Sequence, residues 1–246
     1  LLAQSVNRGL RPLGVQLISG RSADPAIKSF LPARKTIAAA QRAGLEVGAY
    51  IDQVFAEPGA SPALVEAMLK LAELGKPVDR VCEIGPGSGR FAVEVIAALA
   101  PSAYEIYEPA RDWMPTLRKL QNVVVRHCDG RTLSETGDAT VDLIHSQKLF
   151  TYLDFPVCVG YLGEMARVVR PGGVVAFDAV TEPCLDDETV RHWMNETTIY
   201  FPFPRDWTIE FLDRLGLELL GSHFTPLPPG RSELLVFRRR EPTATA

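Results

Sequence analysis

The apolar positions of this chain change their period once. Up to Leu74 they recur at helical spacing; from Val78 they gather into runs of four or five residues separated by helical stretches. Pro32 to Gly44 reads as a helix, with alanines, Lys35 and Arg42 inside it and Gly44 as its stop. A second helix is predicted over Val47 to Phe55. Ser61-Pro62 predicts the start of a third, with the serine as cap and the proline at the first helical position; it ends near Leu74 before Gly75. Residues 1–30 carry turn formers at Gly9, Pro12, Gly14, Gly20 and Pro25 and read as irregular.

Beyond Val78 strands and helices alternate. Strand Arg80–Ile84 leads into helix Arg90–Ala100, strand Tyr104–Tyr107 into helix Arg111–Leu120, and strand Val123–Arg126 follows. Strand Val141–Ile144 precedes helix Val157–Val169, then Pro171-Gly172-Gly173 and strand Val174–Phe177. Such βα alternation predicts an α/β fold, a parallel sheet with helices on both faces and right-handed crossovers. A further helix is expected after Asp186, a Pro- and aromatic-rich stretch over Tyr200–Trp207, and a helix Thr208–Leu215 stopped by Gly216. Strands Glu218–Phe224 and Glu233–Arg238 then make a hairpin-like finish around Pro226–Gly230.

Composition narrows little. The 246 residues are 46% hydrophobic and 23% charged, with a net charge of −4, values ordinary for a globular protein and without the basic excess of a nucleic-acid binder. Four scattered cysteines (Cys82, Cys128, Cys158, Cys184) lack any CxxC pair and read as buried thiols of a reducing compartment. No apolar run approaches a membrane span. The chain opens on Leu1, and the order Leu1-Leu2-Ala3, Asn7-Arg8, Arg11 is not that of a signal peptide, so a cytoplasmic protein is expected.

The chemistry gathers at strand ends. Gly85, Gly87 and Gly89 form GxGxG after an apolar strand, where bare backbone meets a ligand. The pyrophosphate fingerprint GxGxxG needs its last glycine where Arg90 stands, so a pyrophosphate fits poorly. Glu83 precedes the turn and is placed to receive an amino group, directly or through water. Glu108 ends the second strand, 21 residues past Gly87, the place of a ribose-binding acid. Asp129-Gly130 ends the third strand, near where an adenine amine would lie. Each acid alone reads equally well as a solvated strand end or turn; three at successive strand ends is a rarer accident.

In this setting residues 78–178 resemble the core of a class I S-adenosylmethionine-dependent methyltransferase. Val81–Gly89, with Ser88 between its last two glycines, resembles that family's first motif, Tyr107-Glu108 its ribose-binding acid, and Cys128-Asp129-Gly130 its adenine-contacting segment. Val141–His145 resembles the fourth-strand motif, and Arg167–Gly173 the turn before the fifth strand. The resemblance implies a Rossmann-like, doubly wound sheet of seven strands, mostly parallel with the last antiparallel, over 78–246, preceded by a helical extension or lid over 1–77. It implies S-adenosylmethionine as cofactor, and Tyr50 as a residue that closes over it.

A sulfonium methyl needs in-line alignment with its acceptor, and a hydroxyl acceptor also needs a base. His145, after the fourth strand, is the candidate base. His223, at the end of a late strand, is placed to face the acceptor, and Asp178 completes the catalytic candidates. Asp178, Glu182, Asp186 and Asp187 form an acidic stretch that suits Mg²⁺ and a diol. Capping of the next helix by Asp186 and Asp187 is the preferred reading, and no metal site is predicted. His127 and His192 read as structural or surface residues. Phe150, Tyr152, Trp193, Tyr200, Phe201, Phe203 and Trp207 line either an acceptor pocket or a packed lid.

With His145 as base, O-methylation of a small-molecule hydroxyl is the expected reaction, and the N-terminal stretch and Thr181–Asp187 resemble bacterial methyltransferases linked to glycan biosynthesis, which implies a saccharide hydroxyl as the acceptor. The expected partners are then that acceptor and, compatibly, further copies of the chain, with neither nucleic acid nor membrane. Two other readings stay open: an aminopropyl-type transferase on the same scaffold, and a non-catalytic S-adenosylmethionine-binding subunit.

Overall fold

Seven strands pair side by side in a computed structural model that describes residues 31–75, 77–195 and 200–242. The stretch expected to be irregular over 1–30 and the side chain of Trp193 lie outside the described residues. In chain order the elements are α1 (Ala33–Ala43), α2 (Val47–Phe55), α3 (Ala60–Ala72), β1 (Arg80–Ile84), α4 (Arg90–Leu99), β2 (Ala103–Tyr107), α5 (Met114–Leu117), β3 (Val123–Arg126) and β4 (Val141–Ser146). There follow α6 (Phe155–Val168), β5 (Val169–Thr181), a 3₁₀ turn, α7 (Asp187–Asn195), β6 (Pro202–Phe203), α8 (Arg205–Arg214), β7 (Leu217–Leu227) and β8 (Gly230–Arg239).

The sheet runs β3-β2-β1-β4-β5-β8-β7, with two-residue β6 joined to the end of β5. Neighbours from β3 to β5 are parallel, and β8 is antiparallel to both β5 and β7, so the last strand is the reversed one. This is the expected doubly wound, mostly parallel sheet. All six residues of β4 are buried, as suits a central strand covered on both faces. One apolar layer joins α3 and α4 to the sheet through Leu64, Met68, Phe91 and Val95; the other packs Tyr161, Leu162 and Met165 of α6 against it. Thus α3, inside the expected helical extension, is part of the sandwich.

Several boundaries differ from expectation for local reasons. Ser61 does not cap α3: Gly59 stands at the cap, and both the backbone N–H and the hydroxyl of Ser61 donate to Asp52, at 2.8 and 2.7 Å. The carboxylate of α2 thus serves the helix end that a local cap would serve. α5 is one short turn in place of the expected Arg111–Leu120. β5 starts at Val169, because Arg170–Gly173 bulge opposite Asp142 without leaving the strand: Val141 pairs with Val169 and Leu143 with Val174. The final hairpin pairs to its tip, Leu227 opposite Gly230, so part of the expected loop is ladder. Asp186 does cap α7, accepting the Thr189 N–H at 2.7 Å.

Candidate functional site

A cavity of about 530 Å³ opens over the C-terminal ends of the parallel strands, where ligands bind in open α/β sheets. Gly130 follows β3, Glu108 follows β2, the turn Gly85–Ser88 follows β1, and Gln147-Lys148 follow β4. The strand order therefore sets these groups out in a row. The tip of the β7–β8 hairpin, Pro226 to Pro228, and the α2 residues Ile51, Val54 and Phe55 wall the rest.

The glycine turn works as three separate requirements. Gly85 holds φ +67°, and a Cβ there would come within 2.7 Å of Leu149 Cδ2. At Gly87 (φ +52°) a Cβ would meet nothing within 4 Å, which leaves open space at the cavity. Gly89 (φ +79°) is outside the lining: it caps α4, and a Cβ would press on Leu117 Cδ2 at 2.9 Å. Helix packing, expected of a later glycine, is therefore done by Gly89, and Arg90 is free to face the cavity.

Glu108 is fixed by backbone. Its Oε2 accepts from Gly87 N–H at 2.8 Å and its Oε1 from Ala110 N–H at 2.7 Å, while the side chain borders the cavity. Burial raises its pKa, against the pull of those two bonds. Trp113 and Tyr161 also line the cavity, and Trp113 Nε1 donates to the Leu31 carbonyl at 2.9 Å.

Of the predicted cofactor residues, Gly85, Gly87, Ser88, Glu108 and Gly130 line this one cavity; Glu83, Gly89, Asp129 and Tyr50 do not. Asp129 is exposed and spends its carboxylate on its own turn, accepting from Arg131 N, Thr132 N and the Thr132 hydroxyl, so its contribution is to shape the turn at Gly130. Tyr50 borders a neighbouring surface hollow, with Arg34 and Arg42. Helical spacing gives the cavity Ile51, Val54 and Phe55 instead.

The catalytic candidates need correction. His145 is 0% exposed, inside β4, and outside the lining. Both ring nitrogens are engaged: Nε2 lies 2.8 Å from Tyr104 Oη and Nδ1 2.6 Å from Gln147 Oε1. Burial pushes its pKa down to about 4. A group so enclosed has no path to an acceptor proton. His223 is exposed on the outer strand β7, away from the cavity. Asp178 is wholly buried and serves Lys148: it accepts the Lys148 backbone N–H at 2.5 Å, binds its ammonium at 3.0 Å, and takes the Ser232 hydroxyl at 2.6 Å.

The rest of the acidic stretch is dispersed. Glu182 accepts the Arg205 N–H, and Asp186 caps α7. Among the described residues no three His, Cys, Asp or Glu side chains are grouped to hold a metal. No helix among them is long and apolar enough to cross a membrane. Of the aromatic candidates, Tyr152 and Tyr200 line the cavity with rings 5.3 Å apart, whereas Phe150 and Phe203 are core and Phe201 and Trp207 are partly exposed.

Sequence reasoning missed Arg90, Gln147 and Lys148. Arg90, on the first turn of α4, pairs with buried Asp52 at 2.8 Å and lies over the Phe91 ring at 4.6 Å. Lys148 bonds Asp178, Ser232 Oγ (2.7 Å) and the Pro226 carbonyl (3.1 Å), tying the end of β4 to the hairpin. A cation in the glycine turn, and one just past β4, were the available signals.

The family described as methyltransferase domain matches residues 56–221. No curated protein sequence matches the chain significantly. Among solved structures, the fold is similar to that of a Burkholderia thailandensis 1,6-didemethyltoxoflavin N1-methyltransferase solved with its acceptor and S-adenosylhomocysteine. That likeness has 16% identity and a TM-score of 0.57 over 85% of this chain and 87% of that one. A geranyl diphosphate C-methyltransferase from Streptomyces coelicolor is 14% identical, with a TM-score of 0.53 over 72% and 77%. The [4+2]-cyclase SpnF is 15% identical, with a TM-score of 0.58 over 75% and 84%.

Proposed function

The chain belongs to the methyltransferase-domain family, and on that premise we propose that it binds S-adenosylmethionine over the ends of β1 to β4 and methylates a small molecule with an apolar body. The observation that carries this is Glu108, a carboxylate locked by the N–H groups of Gly87 and Ala110 beside a turn with room for a ligand. That is the environment a ribose diol requires: two acceptor oxygens already oriented, on a side chain that borders the cavity.

The residues present fit the cofactor. Glu108 would hold the ribose, Gly85–Ser88 would lie against the amino-acid portion, and Trp113, Tyr161 and Gly130 would surround the base. When bound, S-adenosylmethionine supplies a methyl group already activated on a sulfonium. The chain's own task is then to bind, to orient and to keep water out. Two neighbours of the same fold are solved with S-adenosylhomocysteine, one methylating nitrogen and one carbon.

The acceptor side is walled by Tyr152, Tyr200, Phe55, Val54 and the Pro226–Pro228 tip. Such a wall suits a ringed or hydrocarbon acceptor better than a bare saccharide. The O-methylation expected from sequence drew on His145 as base, and His145 is enclosed. Incubating the protein with methyl-labelled S-adenosylmethionine and a fractionated extract of its source organism, with Mg²⁺ or with EDTA, tests the reading. Label is expected in one low-molecular-weight apolar fraction. Label chiefly in protein or nucleic acid would refute it.

A further inference from the structure

Four polar side chains form a continuous line in the layer between the sheet and α3. Glu83 on β1 and His145 on β4 are register partners, and Tyr104 on β2 points to the same face. Tyr104 Oη lies 2.8 Å from Glu83 Oε2 and 2.8 Å from His145 Nε2; His145 Nδ1 lies 2.6 Å from Gln147 Oε1, and Gln147 Nε2 lies 3.3 Å from Met68 Sδ. Glu83, Tyr104 and His145 are 1%, 0% and 0% exposed. Only Gln147 reaches the cavity.

The line has a direction. A thioether sulfur accepts hydrogen bonds and cannot donate them, so the Gln147 amide nitrogen belongs on Met68 and its carbonyl oxygen on His145. His145 Nδ1 must then carry the proton. In a neutral imidazole Nε2 is consequently bare and takes the Tyr104 hydroxyl proton. Tyr104 has one proton to give, so its contact with Glu83 needs a proton on the carboxyl. We propose that Glu83, Tyr104, His145 and Gln147 form one directional relay, with Glu83 as its neutral, donating end and the Gln147 carboxamide as its cavity end. The three buried members are then positioning residues that act through Gln147, and Glu83 gives the cofactor no negative charge. The directional half of this statement stands alone; its functional half rests on reading the cavity as the methyl-transfer site.

The alternative with the same proton count is an imidazolium and a carboxylate, two charges buried away from bulk solvent. Burial opposes it at both ends, raising Glu83 to about 8 and lowering His145 to about 4. Among the described residues, the groups facing the relay add no cation: Tyr104 and His145 from the neighbouring strands, the Cys82 thiol beside Glu83, Glu108 past β2, and Met68 from α3.

Three measurements on the full chain decide it. Infrared difference spectra of wild type against Glu83→Gln at neutral pH are expected to show a carboxylic-acid carbonyl band lost in the variant, and ¹⁵N NMR a neutral His145 protonated on Nδ1. Absence of that band, or a charged His145, overturns the direction. Calorimetry with S-adenosylhomocysteine tests the positioning role. Glu83→Ala, Tyr104→Phe and Gln147→Ala are each expected to weaken binding by roughly tenfold, about one lost hydrogen bond, with Glu83→Gln restoring affinity to within about threefold of wild type. Glu83→Gln as weak as Glu83→Ala overturns the neutral role. A wild-type protein that does not bind S-adenosylhomocysteine overturns the cofactor reading and the functional half, while the spectra still decide the direction.

Discussion

Replacing Glu108 tests the cofactor site most directly. Its two carboxylate oxygens sit 2.8 and 2.7 Å from the nitrogens of Gly87 and Ala110. Glu108→Ala removes both of those bonds and every bond to a ribose diol. Hydrogen bonds to a charged group contribute about 1.5–3 kcal/mol each, so two lost to the ligand amount to at least about 3 kcal/mol, on the order of a hundredfold or more in affinity. Glu108→Gln is no gentle change. Its amide nitrogen is a donor and would face one of the two backbone donors, so at least about a tenfold loss is expected. Titration calorimetry with S-adenosylhomocysteine gives the affinities, and a thermal melt of the ligand-free protein separates loss of binding from loss of fold. The reasoning is refuted if both variants bind within about threefold of wild type.

Other substitutions probe the scaffold. Asp52→Ala strips the partner of Arg90 and of both Ser61 donors from a buried site, and urea denaturation is expected to show a loss of about 3–5 kcal/mol. Gly85→Ala puts a Cβ within 2.7 Å of Leu149 Cδ2 at φ +67°; affinity for S-adenosylhomocysteine should fall, and Leu149→Ala should relieve the clash but not the strain. Stability should depend on pH in a way set by the relay. Between 4.5 and 6.5 the unfolded chain loses the Glu83 proton while still holding one on His145, so the two effects cancel. Above 6.5 Glu83 alone retains a proton that the unfolded state has released; stability therefore falls as pH rises toward about 8, by about 2 kcal/mol, and Glu83→Gln should flatten that slope.

The parallel strands β1 to β5 were legible because each contains a short apolar run and most are followed by a helical stretch. Gly85, Gly87 and Glu108 were legible because their work is done at strand ends, which sequence spacing locates. What was not legible depends on side-chain partners distant in sequence. Position alone placed His145 at the mouth of the site; only the contacts of Tyr104 and Gln147 show it enclosed. Ser61 read as a cap because local rules know nothing of Asp52, and Asp178 read as catalytic because Lys148 lies thirty residues away. Adjacent residues of α2 point about 100° apart, so Ile51 lines the cavity and Tyr50 does not.

The strand order carries a consequence for the chain as it is made. β8 lies between β5 and β7, so β7 has no place in the sheet until the segment after it has been synthesised. Until then the β5 edge, with Val174, Val175 and Phe177, is bare and open to wrong pairings. The Pro226–Pro228 wall of the cavity, and Ser232 beneath Lys148, arrive with the same final piece. A nascent chain thus acquires its glycine turn and its Glu108 well before the β7–β8 hairpin closes the other wall of the cavity.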